Sequence, residues 1–249
     1  MKTTKEFLNS KTLLLGSWIS IADPGVVEMA KAAGFDYIRI DNEYVPFDPG
    51  RLAELIRTAN LLDLTVFVRI SRMEDITSLV SFGANGIIVP DCNTVERARE
   101  AIARIKFAPL GDRGANPGCR GAYLAGIPGK KYLQRGNDYV SLTIQIEDVN
   151  ATGHIDEILS LDGIDMVSSG RNDTSLSLGV PGETTHPKVL EMEDLIIRKA
   201  LQHGKTPVIM VSSKEELQSM LKKGVKVFTV ANDEAMLRDA MKNRLAMFM

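Results

Sequence analysis

The chain has 249 residues, of which 44% are hydrophobic and 25% charged, proportions that are typical of a folded globular protein. Lysine and arginine number 30 against 32 aspartates and glutamates, so no excess of positive charge indicates nucleic-acid binding. Uninterrupted apolar stretches fall far short of the roughly 20 residues that a membrane-spanning helix needs, and we expect no membrane association.

The N-terminal residues and the cysteines both favour a cytoplasmic location. The first sixteen residues contain no apolar segment followed by a small-residue cleavage site, which a secretory signal would require. Cys92 and Cys119 form neither a metal-binding spacing nor a disulfide framework. We therefore expect a protein of the reducing cytoplasm.

Short apolar runs alternate with longer amphipathic segments along the chain. In chain order the predicted strands are Leu13–Ile19, Asp36–Asp41, Thr65–Ile70, Gly86–Pro90, Val140–Ile146, Ile164–Val167, Pro207–Val211 and Lys226–Val230. The predicted helices are Pro24–Ala33, Pro49–Leu62, Asp75–Ser81, Thr94–Lys106, a segment ending at Leu159, Pro187–His203, Lys214–Lys223 and Asp233–Phe248. The stretch Phe107–Asp138 is predicted to be a loop.

Eight strands that are apolar on both faces, with helices between them, predict a parallel sheet covered by helices. Eight such units in about 250 residues are typical of a (β/α)8 TIM barrel, here a single domain over residues 1–249. A doubly wound open sheet is the alternative, but no G-x-G-x-x-G motif follows the first strand.

Polar residues at the strand ends are the candidate site, because TIM-barrel chemistry takes place at the carboxyl ends of the strands. Glu147 and Asp173 follow the fifth and sixth strands, which are neighbours in a barrel. Two such carboxylates, with waters and substrate oxygens, can bind a hard divalent cation: Mg²⁺, Mn²⁺ or Co²⁺. Alternatively, Asp173 caps the next helix and Glu147 is a solvated loop acid.

Arg69 interrupts the apolar third strand near its end. A guanidinium there can bind a carboxylate or an enolate oxygen with two parallel hydrogen bonds. The alternative is an internal ion pair with Asp41 or Glu43 at the end of the second strand.

These stretches together resemble the HpcH/HpaI aldolase (citrate lyase β-like) family of class II pyruvate aldolases, over almost the whole chain. The resemblance rests on GSW (16–18), AGFDYIRIDNEY (33–44), VRI (68–70), GANGIIVP (83–90), PLGDRG (109–114), QIED (145–148), SGRNDTSLSLG (169–179) and HP (186–187). It implies a metal-dependent lyase that binds pyruvate or another small 2-oxo acid.

The resemblance also assigns roles to individual residues. Glu147 and Asp173 match the metal ligands, and Arg69 matches the arginine that stabilises the enolate. The residues implied in substrate binding are Gln145, Trp18, Val211, and Asn172 with Asp173, where a helix start would receive the pyruvate carboxylate. The family is typically a hexamer, a trimer of dimers that exchange the C-terminal helix, here about Asp233–Phe248 with an apolar face of Met236, Leu237, Ala240 and Leu245. A helix that docks on its own subunit would have the same pattern.

The sequence departs from the family where the proton transfer should occur. The second strand ends in Asp41-Asn42-Glu43-Tyr44, whereas the family has histidine in place of Tyr44; Ser81 stands where the family has an aspartate. Asp41 and Tyr44 remain candidate catalytic residues with Arg69, but a neutral tyrosine, with a pKa near 10, is a poor base. We expect surface or capping roles for the three histidines.

Two further departures are arginines. Arg39 lies where the family is usually apolar, and Arg171 lies where it usually has proline. They can bind a second substrate carboxylate; alternatively, Arg39 pairs with Asp41 and Arg171 points to solvent, which we favour.

The sequence thus predicts a metal-dependent carbon–carbon lyase that forms a pyruvate enolate from a 2-oxo acid. Retro-aldol cleavage of a 4-hydroxy-2-oxo acid and oxaloacetate decarboxylation are both compatible with it. The alternative is a catalytically quiet protein that binds a 2-oxo acid and metal on the aldolase scaffold. A phosphate-binding barrel is disfavoured because no glycine-rich loop follows strands seven and eight.

Overall fold

The computed structural model describes all 249 residues as a closed barrel of eight parallel strands with helices between them. The strands are β1 (Leu14–Ile19), β2 (Tyr37–Asp41), β3 (Thr65–Arg69), β4 (Gly86–Val89), β5 (Ser141–Ile146), β6 (Met166–Ser169), β7 (Thr206–Met210) and β8 (Val227–Asn232). Each strand pairs with the next, and β8 pairs with β1. This closure confirms the TIM barrel and excludes the open sheet.

Twelve α-helices accompany the strands. They are α1 (Thr4–Leu8), α2 (Pro24–Ala33), α3 (Pro49–Leu61), α4 (Ile76–Phe82), α5 (Val95–Ile105), α6 (Arg120–Leu124), α7 (Lys130–Arg135), α8 (Ile155–Leu159), α9 (Arg171–Ser177), α10 (Pro187–Gln202), α11 (Lys214–Lys222) and α12 (Asp233–Ala246). Short 3-10 turns precede α4, β5 and α8. No helix is long and apolar enough to cross a lipid bilayer.

The buried apolar residues form four clusters, of which the largest and the second largest surround and fill the barrel. The larger lies between strands and helices and contains 39 buried residues, mainly Ile, Leu, Val and Ala. The smaller fills the barrel at its amino end, where Phe7 of α1 lies edge-on to Tyr37 and Phe67, with ring centroids 6.0 and 5.5 Å away. Gly16 makes room for the Tyr37 ring, which would lie 2.2 Å from a Cβ at that position. Packing therefore closes the barrel opposite the candidate site.

The predicted strands agree with the structure to within two residues at each end, whereas several short helices were missed. Helices α6 and α7 lie inside the predicted loop Phe107–Asp138, so that part of the prediction was wrong. Both have six residues or fewer and each has one or two buried positions, too few to produce a helical period. Helix α1 has the capping box of Thr3 and Glu6, a signal that was present in the sequence.

Helix α12 does not dock its apolar side chains on its own barrel. Met236, Leu237, Ala240 and Leu245 are all exposed, and Leu245 retains 61% of its accessible surface. Asp233 anchors only the start of the helix, because its carboxylate accepts hydrogen bonds from the backbone N–H groups of Ser20 and Ile21. A self-docked helix is therefore not observed, and exchange between subunits stays a prediction.

Candidate active site

The carboxyl ends of β1, β2, β3 and β5 bring the candidate side chains together. Trp18 pairs in register with Arg39, and Asp41 with Arg69. The guanidinium groups of Arg39 and Arg69 each lie 4.4 Å from the centre of the Trp18 ring. The single tryptophan of the chain is therefore in contact with two arginines at the mouth of the barrel.

Arg69 is 2% exposed and is held by two carboxylates. Its Nε donates to Asp41 Oδ1 at 2.9 Å, and its Nη1 lies 2.9 Å from Glu43 Oε2. The ion pairs proposed as the alternative are thus present, yet they leave Nη2 buried and without an acceptor. Asp41 therefore lies in the site as a partner of Arg69, and Arg69 keeps one free donor for a ligand.

A second buried donor without an acceptor lies beside Arg69. The indole Nε1 of Trp18 is buried and donates no hydrogen bond. Buried donors are almost always paired in folded proteins, and those that are not need an explanation. Trp18 Nε1 and Arg69 Nη2 together form a cationic, donor-rich position that suits an anionic oxygen.

Glu147 is 3% exposed, which rules out the solvated loop acid considered from the sequence. Its Oε1 accepts the backbone N–H of Asp91 at 2.9 Å, and its Oε2 accepts from Gln145 Nε2 at 2.5 Å. Burial raises the pKa of Glu147 to about 7; the two hydrogen bonds oppose this rise, and the negative charge of Asp173 adds to it. A cation beside the carboxylate would relieve the cost of its ionisation.

Asp173 occupies the first turn of α9 but is not the residue that caps it. Gly170 is the cap position, and no side chain accepts a hydrogen bond there. The capping alternative for Asp173 was therefore wrong. Asn172 is exposed beside it, and Val211, at the end of β7, is buried.

The charges that act on Tyr44 indicate which charged groups lie near it at the mouth of the barrel. Partial desolvation raises the pKa of Tyr44; the negative charges of Glu43, Asp173 and Glu147 raise it further, whereas Arg69 lowers it. Tyr44 is 64% exposed, and the centre of its ring lies 4.9 Å from the Arg69 guanidinium. A raised pKa leaves even less phenolate at neutral pH than in an ordinary tyrosine, so Tyr44 is even less available as a base.

The two extra arginines do not behave as we favoured from the sequence. Arg39 has no carboxylate within 4.0 Å and donates instead to Gln145 Oε1 at 2.8 Å. Arg171 pairs with Glu193 through Nε and Nη2, at 3.0 and 2.5 Å, and with Glu216 through Nη1 at 2.6 Å. The expected Arg39–Asp41 pair and solvent-facing Arg171 were therefore both wrong.

The histidines lie away from the site. His154 is exposed, His186 caps α10 through Nδ1, and His203 pairs with Asp156. Surface and capping roles are therefore confirmed, and none of the three substitutes for the missing histidine.

Sequence reasoning missed the loop after β4. Asp91 supplies its backbone N–H to Glu147, and Asn93 Oδ1 accepts the backbone N–H groups of Glu147 and Asp148 at 3.2 and 3.3 Å. The signal was available, because Asp91 and Asn93 directly follow a predicted strand end.

The residues present suit a divalent cation that also binds substrate and water. No group of three or more His, Cys, Asp or Glu side chains is placed to hold a metal by itself. Magnesium commonly takes only one or two carboxylates from the protein and fills its other positions with substrate and water oxygens. Glu147 and Asp173 therefore suit a site whose cation is also bound by substrate and water, and not a structural metal site made of protein ligands alone.

The closed barrel, with a buried carboxylate and an arginine with a free donor at its strand ends, has its candidate site where TIM-barrel enzymes have their active sites. The HpcH/HpaI aldolase/citrate lyase family profile matches residues 14–240, and the chain belongs to this family. It is 30% identical over 247 residues to the 2-keto-3-deoxy-L-rhamnonate aldolase of Escherichia coli K12, covering 98% of this chain and 92% of the relative.

Two solved structures are similar to the whole barrel. The HpcH/HpaI aldolase from Desulfitobacterium hafniense DCB-2 has a TM-score of 0.90 and 26% identity, with 100% of this chain and 97% of that chain covered. The citrate synthase SbnG has a TM-score of 0.89 and 29% identity, with 98% and 96% covered. Membership of the aldolase/lyase family supports an enzymatic role of that general kind.

Proposed function

We propose that the protein is a divalent-metal-dependent carbon–carbon lyase that forms a pyruvate enolate from a small 2-oxo acid. The observation that carries the proposal is the pair of buried, unpaired donors, Arg69 Nη2 and Trp18 Nε1, at the mouth shared with Glu147. Preorganised donors at the position where negative charge develops typically contribute about 3 kcal/mol each to catalysis.

Glu147 and Asp173 would hold the cation. Bound there, a divalent cation supplies Lewis-acid polarisation of the 2-oxo group. Arg69 donates from Nη2 to the oxygen that becomes negative, and Asp41 and Glu43 keep its guanidinium in place meanwhile. Gln145 would contact the substrate and Trp18 would line its pocket, as the resemblance implies. The start of α9, at Asn172 and Asp173, would receive the pyruvate carboxylate.

The missing proton relay restricts which reactions this site performs efficiently. Retro-aldol cleavage needs a base for the C4 hydroxyl proton, and Tyr44 is unsuited to that role. Oxaloacetate decarboxylation forms the same enolate without that base: the C3–C4 bond breaks, C4 leaves as carbon dioxide, and the bonding electrons pass into the enolate. The relatives named as an aldolase and as a citrate synthase support carbon–carbon bond cleavage and formation alike on this scaffold.

Oxaloacetate decarboxylation with Mg²⁺ or Mn²⁺ is the first test. Glu147→Ala serves as the background, because free metal ions decarboxylate oxaloacetate slowly on their own. We expect metal-dependent turnover in the native protein and none above background in the variant. Equal turnover in both proteins, or turnover without metal, would refute the proposal.

The second candidate is a catalytically inactive binding protein on the same scaffold, which is favoured by Tyr44 and Ser81 in place of the proton relay. It predicts binding of oxaloacetate in the presence of metal with no turnover above the Glu147→Ala background. The intact set of Arg69, Gln145, Glu147 and Asp173 supports the lyase instead.

We also propose that the working protein is a cytoplasmic homo-oligomer, a hexamer built as a trimer of dimers. The exposed apolar side chains of α12, and of Phe248 just beyond it with 77% exposure, support a partner subunit that covers them. Analytical ultracentrifugation gives the mass directly: a hexamer agrees with the proposal, and a monomer at micromolar concentration contradicts it.

A further inference from the structure

Arg39 is a buried cation without a counter-ion. It is 6% exposed, and no carboxylate oxygen lies within the 4.0 Å of an ion pair. Burial and the nearby charge of Arg69 lower its pKa to about 10, so it stays protonated at neutral pH. A buried charge without a paired carboxylate is costly, and side chains such as methionine at such positions are often neutral or stabilising. Its presence therefore calls for a role beyond stability.

The guanidinium makes one hydrogen bond, from Nη2 to Gln145 Oε1. The guanidinium also lies over the Trp18 ring, and its Nε has no acceptor. A cavity of about 10 Å³ below, lined among others by Arg39, Thr143 and Ser168, has space for about one water molecule. Gln145 is thus the one side chain that Arg39 binds directly through a hydrogen bond.

That bond is the shorter of two to the Gln145 amide oxygen, which also lies 3.5 Å from Ser168 Oγ, and it favours one orientation of the amide. The amide oxygen accepts from Arg39 at 2.8 Å, and the amide nitrogen donates to Glu147 Oε2 at 2.5 Å. A flipped amide would place N–H groups against the guanidinium and an oxygen against the carboxylate, and both contacts would be repulsive. A cation held by Glu147 would compete with Gln145 for that carboxylate, whereas the hydrogen bond from Arg39 would still orient the amide.

We propose that Arg39 is a positioning residue, which locks the Gln145 amide with its N–H groups directed towards Glu147 and the bound 2-oxo acid. The proposal rests on the lyase function for the identity of the ligand. Arg39 acts through Gln145 and touches neither substrate nor cation. A free amide would populate both orientations, and only one of them donates towards the substrate.

A double-mutant cycle distinguishes this role from a simple charge effect. The variants are Arg39→Met, which removes the donor at similar size, Arg39→Lys, which keeps charge and a donor, Gln145→Met, and the double variant. Trp18 is the only tryptophan and lies against Arg39, so its emission follows pyruvate binding to the Mn²⁺-loaded full-length protein. Dissociation constants come from titration midpoints, which do not depend on the amplitude of the signal.

We expect Arg39→Met to weaken pyruvate binding about tenfold, the lower end for partners that orient a ligand-binding group. Arg39→Lys should stay within about threefold, and Arg39→Met should change binding less than about twofold in the Gln145→Met background. An equal tenfold loss in both backgrounds would show that Arg39 acts through its charge alone and would overturn the proposal.

Urea unfolding of the native protein and the variants, without ligand, tests the proposed role of Arg39 separately from the proposed lyase function. Non-additive shifts in the unfolding midpoint support direct coupling of Arg39 and Gln145, even if pyruvate leaves Trp18 emission unchanged and the lyase proposal fails. Additive midpoint shifts would overturn the proposed positioning of Gln145 by Arg39, whichever ligand the site binds.

Discussion

Gly170 is the position where the smallest substitution should do the most damage to the site. A Cβ at this position would lie 2.0 Å from Glu147 Oε2 and 2.9 Å from Gln145 Nε2. The backbone there has φ −118° and ψ 91°, which any residue adopts, so Gly170→Ala introduces a steric clash without backbone strain. To restore a contact of about 3 Å, the Glu147 oxygen must move by about 1 Å.

A displacement of about 1 Å in a group that holds the reacting partners costs about 100-fold in rate. We therefore expect kcat/KM for oxaloacetate decarboxylation to fall about 100-fold in Gly170→Ala, with weaker Mn²⁺ binding. Overpacking should cost about 1–3 kcal/mol in unfolding free energy. Gly153→Ala is the matched control, because a Cβ there meets nothing within 4 Å. Unchanged kcat/KM and Mn²⁺ affinity in Gly170→Ala would refute the proposed role of Glu147.

Two further predictions concern charge. The folded-state pKa of Glu147 is raised to about 7, so the metal-free folded protein favours the protonated carboxyl. The stabilisation that this protonation gives is complete below the unfolded pKa near 4.5 and is lost as pH rises through 7. The unfolding free energy of native protein relative to Glu147→Gln should fall between pH 5 and pH 8, and a flat difference would contradict the shift. Arg171→Met leaves Glu193, 3% exposed, without its cation and should cost about 3 kcal/mol in urea unfolding, whereas exposed Arg135→Met should cost under about 0.5 kcal/mol. Similar costs for the two variants would show that the Arg171 pair is unimportant.

The fold could be predicted from the sequence because its signals are local and repeated. Strands such as Thr65–Arg69 are buried at every position, so their apolar runs are continuous and easily recognised. Helix α2 has Pro24 in its first turn and ends at Gly34 in the left-handed conformation, and its predicted bounds match the structure. Helices α6 and α7 carry no such signals, because each is too short for a hydrophobic period.

The positions of the candidate site residues could be predicted, but their partners could not. Barrel topology alone places Glu147 and Arg69 at strand ends. The choice of partner depends on distances across the barrel: Arg39 lies two residues from Asp41 in the same strand yet bonds to Gln145, 106 residues away. Arg171 likewise reaches Glu193 and Glu216 on two later helices. No spacing in the sequence encodes such contacts.

Tyr44 stands where the resemblance implies a histidine, and its contacts differ from the role expected of that histidine. A histidine would exchange protons with substrate, whereas the Tyr44 ring lies over the Arg69 guanidinium, a contact worth about 0.5–1 kcal/mol at an exposed position. Asp41, Glu43, Trp18 and Tyr44 now all hold the same arginine. Arg69 is thereby fixed before a substrate arrives, and a fixed donor loses little energy to reorganisation when charge develops. In the proposed lyase this fixed donor would serve the enolate oxygen, and decarboxylation or condensation would need no base at the position of Tyr44, whereas retro-aldol cleavage would.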